Sequence, residues 1–312
     1  MSAFITLTFS PCIDKSTSVA YLAPDIKMNC SDITSEPGGG GINVSRALHK
    51  LGSTSTAMYV SGGCAGKQFD QLMMDESINT LVISSKHETR ENIIVVDKSN
   101  DKQYRFGMPM TPLSAHEWQL FLHHLQQAKD LQYIVVSGSL PPGVPLSIFS
   151  EISAIAVAKK ARLIVDTKGD ALIRAVDAGV YLIKPNLREL SAIVGKKELL
   201  SREIKDVARK IISSKKCEVI VVSMGEAGAM LVTANFAQQI KPPVVERKST
   251  VGAGDSMVAG IVFSLYTGKS LSQAIQYGVA CGTAATLNLG TELCRKEDVE
   301  KIVLNVVITD LD

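Results

Sequence analysis

What this chain lacks narrows its function before any motif is read. Its six cysteines, at 12, 30, 64, 217, 281 and 294, form no CxxC pair and fall at no metal-ligand spacing, so a zinc site is not expected. That scatter suits buried free thiols in a reducing compartment. The formal net charge is only +2, so neither nucleic acid nor an anionic membrane is an expected partner. An anionic small substrate would need only a local cluster of Arg and Lys. No apolar run approaches the roughly 20 residues of a membrane span. The N-terminus lacks the basic start and apolar stretch of a secretion signal, so a cytoplasmic location is expected. The sequons Asn29-Cys30-Ser31 and Asn43-Val44-Ser45 are then incidental.

Two nucleotide signatures are missing as well. Gly66-Lys67 is followed by Gln68 where a P-loop needs Ser or Thr. Gly268-Lys269-Ser270 has the right ending, but Phe263 stands in place of the first glycine. The glycines at 38–41 are unspaced, follow Glu36-Pro37 rather than a strand, and have no acidic residue placed further on. They are not a dinucleotide fingerprint, which disfavours an NAD-dependent enzyme. Any nucleotide must sit in another cradle. Repeats, low-complexity tracts and interdomain linkers are also lacking.

What remains is ordinary globular material. The 312 residues are 46% hydrophobic and 21% charged, enough for one large α/β domain or two small ones. Period-two alternation predicts strands at 4–9, 57–60, 81–83, 92–97 and 103–106, with Asn100-Asp101-Lys102 as a hairpin turn. Short exposed strands are expected at 17–21 and 27–34. Ser114-Ala115-His116-Glu117 fits a capping box opening a helix to about residue 128. His123 and His124 lie on that helix with no ligand partners. Strands at 133–136, 162–166, 181–184 and 219–223 alternate with helices at 146–159, 170–178, 188–194 and 202–213. That alternation predicts a parallel sheet covered on both faces. Helices at 271–287 and 297–306 close the chain.

The chain turns on Ser249-Thr250-Val251-Gly252-Ala253-Gly254-Asp255-Ser256-Met257, read as a loop becoming a helix. A helix start carries unpaired N–H donors and partial positive charge, and so attracts anions. Asp255 there either caps the helix or acts as a general base beside an anion hole. Similar pairs of readings attach to the other candidates. Asp14 follows the first strand's end, as a turn residue or a ligand contact. Four glycines at 38–41 have no packing justification, because each costs conformational entropy, and suit a backbone approached closely by a ligand. Asn43 caps the helix they open or contacts that ligand. Arg90 and Arg105 are solvated, or meet across a hairpin as a phosphate fork. Asn186 and Glu189, three apart on one helix face, are spaced as a capping pair.

The Gly-Ala-Gly-Asp run, Glu36-Pro37-Gly38-Gly39-Gly40-Gly41-Ile42-Asn43 and Lys184-Pro185-Asn186-Leu187-Arg188-Glu189 together resemble the ribokinase-like (PfkB) carbohydrate kinases, from about residue 6 to 291. Many phosphosugar relatives carry Lys at the third or fourth glycine. The all-glycine form is most similar to the 6-phosphofructokinase branch.

The resemblance implies a ribokinase-like α/β domain over 1–312: a mostly parallel central sheet flanked by helices, with β-sheet lid segments at about 15–35 and 88–110. It implies ATP-dependent phosphorylation of fructose 6-phosphate, with Asp255 as base and Gly252, Ala253 and Gly254 as the anion hole. Asp14, Gly38, Gly39, Asn43 and Ser139 would bind sugar. Arg90 and Arg105 would hold its phosphate, and Lys27 would reach the site of a second subunit in a lid-joined homodimer. Lys184, Asn186, Ser223, Gly225, Gly228 and Asn288 would face ATP. Mg²⁺ would sit near Glu189 through water, and K⁺ near Ser249, Val251, Ala285, Asn288 and Gly290. Glu292 departs from the residue expected beside that cation. The alternatives are a kinase for fructose 1-phosphate or tagatose 6-phosphate, or a non-catalytic sugar-phosphate regulator.

Overall fold

The computed structural model describes residues 3–312 other than Lys215 and Leu289. β1 (Phe4–Thr8) runs after three residues into β2 (Cys12–Val19), and β3 (Thr34–Gly38) leads into α1 (Gly40–Lys50). Next come β4 (Thr56–Ser61), α2 (Gly63–Asp75), β5 (Asn79–Ser84), β6 (Arg90–Asp97) and β7 (Lys102–Phe106). Regular alternation follows: α3 (Ala115–Gln127), β8 (Tyr133–Ser137), α4 (Ile148–Lys159), β9 (Arg162–Asp166), α5 (Asp170–Ala178), β10 (Val180–Ile183), α6 (Leu187–Ile193), α7 (Ile204–Ser213) and β11 (Cys217–Ser223). The chain closes with β12 (Ala229–Val232), β13 (Ala237–Lys241), α8 (Ala253–Tyr266), α9 (Leu271–Ala285), α10 (Lys296–Val303) and β14 (Val307–Asp310).

The large sheet has the order β14-β13-β12-β11-β10-β9-β8-β1-β4-β5. It is parallel from β5 to β11 and antiparallel from β11 to β14. Alternation along the strands divides two cores. Ile5, Leu7, Ile134 and Val136 pack on one face with Phe121, Ile152 and Leu172 of α3, α4 and α5. Phe4, Tyr133, Val135 and Ile164 pack on the other with Leu48, Val258 and Ile275 of α1, α8 and α9. This is the ribokinase-like layering expected. Among the described residues no helix is long and apolar enough to cross a membrane.

A separate four-stranded sheet, β3-β2-β6-β7, carries the lid segments. β2 and β6 are parallel neighbours, with β3 and β7 antiparallel at the edges. The strand expected at 27–34 does not form. Residues 20–33 contain no strand, and the pairing partner of β2 is Thr34–Gly38 instead. Asp14 lies within β2 rather than in a turn after β1. β13 and β14 had no clear period-two signal; they pair with each other at the sheet's antiparallel end. Cys30 and Cys64 are exposed, so only four of the six free thiols are buried as expected.

The glycine run also needs correction, because packing does require part of it. A Cβ on Gly40 would lie 2.3 Å from Ser137 Oγ and 2.7 Å from the Gly138 amide. One on Gly41 would lie 2.5 Å from Thr8 Oγ1 and 2.6 Å from the Leu7 carbonyl. The start of α1 is thus pressed onto the ends of β1 and β8, where backbone cannot yield. Gly41→Ala should lower stability by about 1–3 kcal/mol through overpacking. Gly107→Ala, where a Cβ meets nothing within 4 Å, should stay within about 0.5 kcal/mol. Chemical-denaturation midpoints of the two variants check this.

Candidate active site

The C-terminal ends of the parallel strands converge where open α/β sheets bind ligands. Ser137 ends β8, Asp166 ends β9, Lys184 follows β10 and Ser223 ends β11. The N-termini of α1 and α8 point into the same region. Gly252 caps α8 with φ 70°, a left-handed conformation that glycine adopts without strain. Ser256 N is the first amide of this turn with a backbone partner, Gly252 O at 2.8 Å. The amides of Ala253, Gly254 and Asp255 have none among the described residues, so the turn presents free donors one residue along from the anion hole expected over Gly252, Ala253 and Gly254.

Asp255 is held from two elements. Asn43 Nδ2 of α1 donates to its Oδ2 at 2.9 Å, and Ser137 Oγ donates to its Oδ1 at 3.2 Å. Asn43 is therefore no cap; Gly39 takes that position, without a side-chain bond. Burial, and then the charge of Asp166, push the Asp255 carboxyl up to about 6, against the opposing pull of Asn43, Lys184 and Ser137. Lys184, 7% exposed, pairs with Asp166 at 3.2 Å. Burial alone would lower its pKa, but Asp166, with Asp255 and Glu189, holds it above the ordinary lysine value. Its Nζ would lie 3.4 Å from a Cβ on Gly254, so the ammonium stands beside the anion hole.

On the sugar side, Asp14 accepts from Asn92 Nδ2 at 2.8 Å. A Cβ on Gly38 would sit 2.3 Å from Asp14 Oδ2, so the glycine is what admits the carboxylate there. Arg90 donates to Ser10 Oγ at 3.1 Å and to Asn92 Oδ1 at 3.0 Å. The two arginines do not meet across the hairpin. Arg105 is paired in register with Ile94, four residues along β6 from Arg90, or about 13 Å. It is exposed and bonds Gln103. Ser139 is half-buried in the loop after β8, and Ser137, not Ser139, reaches Asp255. Lys27 is exposed on the strandless segment and takes no part in this chain's own site.

On the far side of the turn into α8 from the small sheet a cleft of about 360 Å³ opens. Ser223, Gly225 and Gly228, the residues expected to face ATP, line it together with Ala253 and Gly254. Lys184 and Asn186 stand outside its lining. Asn288 does too: it is buried, and its amide is spent on the Leu293 carbonyl at 2.9 Å. Residues 241–247 supply one wall, and Thr283 and Thr286 of the α9 end supply another. Arg247 of that loop pairs with Glu226 of the glycine turn.

Sequence reasoning missed Ser137, Asp166, Asn92 and the 241–247 loop. Position at a strand's C-terminal end marked the first two. Alternation from Arg90 puts Asn92 on the same face of β6. The Pro242-Pro243 loop gave no signal.

Asn186 and Glu189 form a reciprocal capping box on α6, each bond 2.9 Å. The capping reading is therefore the observed one. It uses a single oxygen of Glu189; the other makes no hydrogen bond among the described residues, which fits a magnesium held mostly by water. For a monovalent cation, the two implied loops do meet: Ser249 Oγ donates to the Gly290 carbonyl at 2.8 Å. Hydroxyl and carbonyl oxygens are suitable donors for such a cation. The Ala285 carbonyl already accepts from Asn288 N at 3.3 Å, and Val251 contributes its amide to Ser249 Oγ at 3.2 Å. Glu292 turns to Arg295 at 2.7 Å. Leu289 lies outside the described residues.

Comparison with known proteins agrees with this geometry. Residues 6–298 match the model of the pfkB family carbohydrate kinases. The chain is 39% identical over 303 residues to the ATP-dependent 6-phosphofructokinase isozyme 2 of Escherichia coli K12, covering 97% of this chain and 98% of that one. It is 30% identical to a 1-phosphofructokinase of Borreliella burgdorferi, covering 98% of each. The crystal structure of Escherichia coli phosphofructokinase-2 in complex with potassium superposes with a TM-score of 0.93 at 38% identity, over 97% of this chain and 99% of that one. Matched to the family model over residues 6–298 and 39% identical to one relative across nearly its whole length, the chain belongs to the pfkB carbohydrate kinase family.

Proposed function

We infer that this chain transfers the γ-phosphoryl group of ATP to a hydroxyl of fructose 6-phosphate. The observation that carries this reading is Asp255, fixed by Asn43 and Ser137 beside three free amides. Asp255 accepts the hydroxyl proton as the sugar oxygen bonds to phosphorus, and the β–γ bridging oxygen leaves with ADP. The amides of Ala253, Gly254 and Asp255, with the Lys184 ammonium, receive the charge of the phosphoryl oxygens in transit. Asp14, Gly38 and Gly39 contact sugar hydroxyls. Arg90 holds the existing phosphate; Arg105, about 13 Å along the same face of the small sheet, leaves Gln103 to approach it. Glu189 would hold Mg²⁺ through water, and the metal would neutralise nucleotide charge. The loops of Ser249 and Gly290 would hold K⁺.

The small sheet supports assembly through the lid. Ile93 on β6 and Tyr104 and Phe106 on the edge strand β7 are exposed, and Ile93 and Phe106 are cross-strand partners. Such an apolar face suits a second copy of this chain, and would bring the partner's Lys27 segment toward this site. Sedimentation at micromolar concentration should give a dimer, which Phe106→Asp should weaken. A monomeric wild type removes this part of the reading.

ADP release measured with fructose 6-phosphate, fructose 1-phosphate and tagatose 6-phosphate should give the highest kcat/KM for the first. A higher value for either other sugar reassigns the substrate, and tight sugar binding without ADP formation would mean a regulator. In the same assay Asp255→Asn should lower kcat by at least about 10²-fold with sugar affinity largely kept. Near-normal turnover would remove Asp255 from the mechanism.

The acid limb of the pH profile carries a further test. Asp255 must be ionised to accept a proton, so activity should fall as pH drops through about 6. Ser137→Ala removes a bond that favours the ionised form. It should move that limb to higher pH by on the order of half to one unit. The difference between the two enzymes cancels titration of the sugar's own phosphate, and coincident limbs would contradict the assignment.

A further inference from the structure

Arg46, on α1, is 3% exposed and ties three segments together. Its Nε donates to both carboxylate oxygens of Glu76, each at 2.8 Å, just beyond α2. Nη1 donates to the Pro37 carbonyl at 2.9 Å and Nη2 to Glu36 Oε1 at 3.1 Å, both on β3. The root of the small sheet is thereby fastened to the large one. Glu76 alone would balance the guanidinium, so the charge of Glu36 is surplus to neutrality. Its second oxygen, Oε2, accepts from Thr291 Oγ1, 255 residues away in the chain.

Thr291 opens a buried segment lying against the anion-hole turn. Leu293 Cδ2 occupies the space over Gly252, 2.5 Å from where a Cβ would stand. Cys294 N donates to Ser256 Oγ at 3.3 Å. Thr291, Leu293 and Cys294 are each 3% exposed or less. One hydroxyl–carboxylate contact therefore links the strand bearing Gly38 to the segment that backs Gly252.

We propose that Glu36 and Thr291 are positioning residues, holding the sugar-side strand and the phosphoryl-receiving turn in one register. Sugar seated against Asp14 and Gly38 then settles the amides of residues 253–255 without touching them. The kinetic half of this inference rests on the proposed function. The positional half rests on geometry alone.

Thr291→Val removes the hydroxyl and keeps the shape; Thr291→Ser keeps the hydroxyl. In the wild-type kinase assay, Thr291→Val should lower kcat by about three- to thirtyfold, with KM for ATP within about twofold, and Thr291→Ser should restore kcat. Hydrogen exchange of the ligand-free protein should be at least about threefold faster at the bonded amides of Ser256 and Cys294 and along 34–38 in Thr291→Val, unchanged in α4, and wild-type in Thr291→Ser. Wild-type kcat with unchanged exchange overturns the proposal. So does a loss of kcat that serine does not restore, or a lower melting temperature with exchange altered uniformly. Should the wild type phosphorylate none of the three sugars, the proposed activity fails, and exchange alone decides the link.

Discussion

A carboxylate withdrawn from water at the mouth of α8 is the constraint from which the site's architecture follows. Asn43 and Ser137 donate to Asp255 from two different elements and, with the charge of Lys184, favour its ionised form against burial. For both to reach, the start of α1 must press against the end of β8 while α8 arrives from the other side. That crowding leaves no room for Cβ atoms at residues 40 and 41. The turn into α8 is as tight, with Leu293 packed over Gly252. The two glycine-rich runs, far apart in the chain, are consequences of one side chain's surroundings.

Electrostatics in the same region are poised. Asp166 raises the proton affinity of Asp255 and, by pairing with Lys184, keeps the ammonium charged despite its burial. The arrangement sets a base near neutral pH beside a permanent cation. A base of this strength can take a proton in the transition state without being protonated at rest. The cation and free amides stand ready before any ligand arrives, so little reorganisation is needed at the moment of transfer.

Much of this was legible in the chain. Strands buried on both faces read as apolar runs, and β9 and α5 fell at their expected bounds. Capping boxes at Ser114 and Asn186 form as their spacing implies. Local pattern failed where a partner distant in sequence decides the outcome. Residues 27–34 have β character but no neighbour to pair with, because β2 takes Thr34–Gly38. The glycines at 40 and 41 answer to backbone atoms of β1 and β8 that no window around them contains. Ser137 resembles any strand-ending serine until Asp255, 118 residues on, meets it. Arg90 and Arg105 share a hairpin and a face, but register, which the turn alone could not settle, separates them.

The connection between β1 and β2 is only Phe9, Ser10 and Pro11, and Ser10 also bonds Arg90 on the adjacent strand. Cys12 and Arg90 are register partners, so Asp14 and Arg90 ride on one rigid pair of strands. On the proposed reading their spacing works as a ruler: the distance between a hydroxyl near Asp14 and an anionic group near Arg90 cannot be adjusted at one end alone. A relative that accepts a sugar phosphorylated at a different carbon must change the ruler itself, by shifting register or replacing both marks.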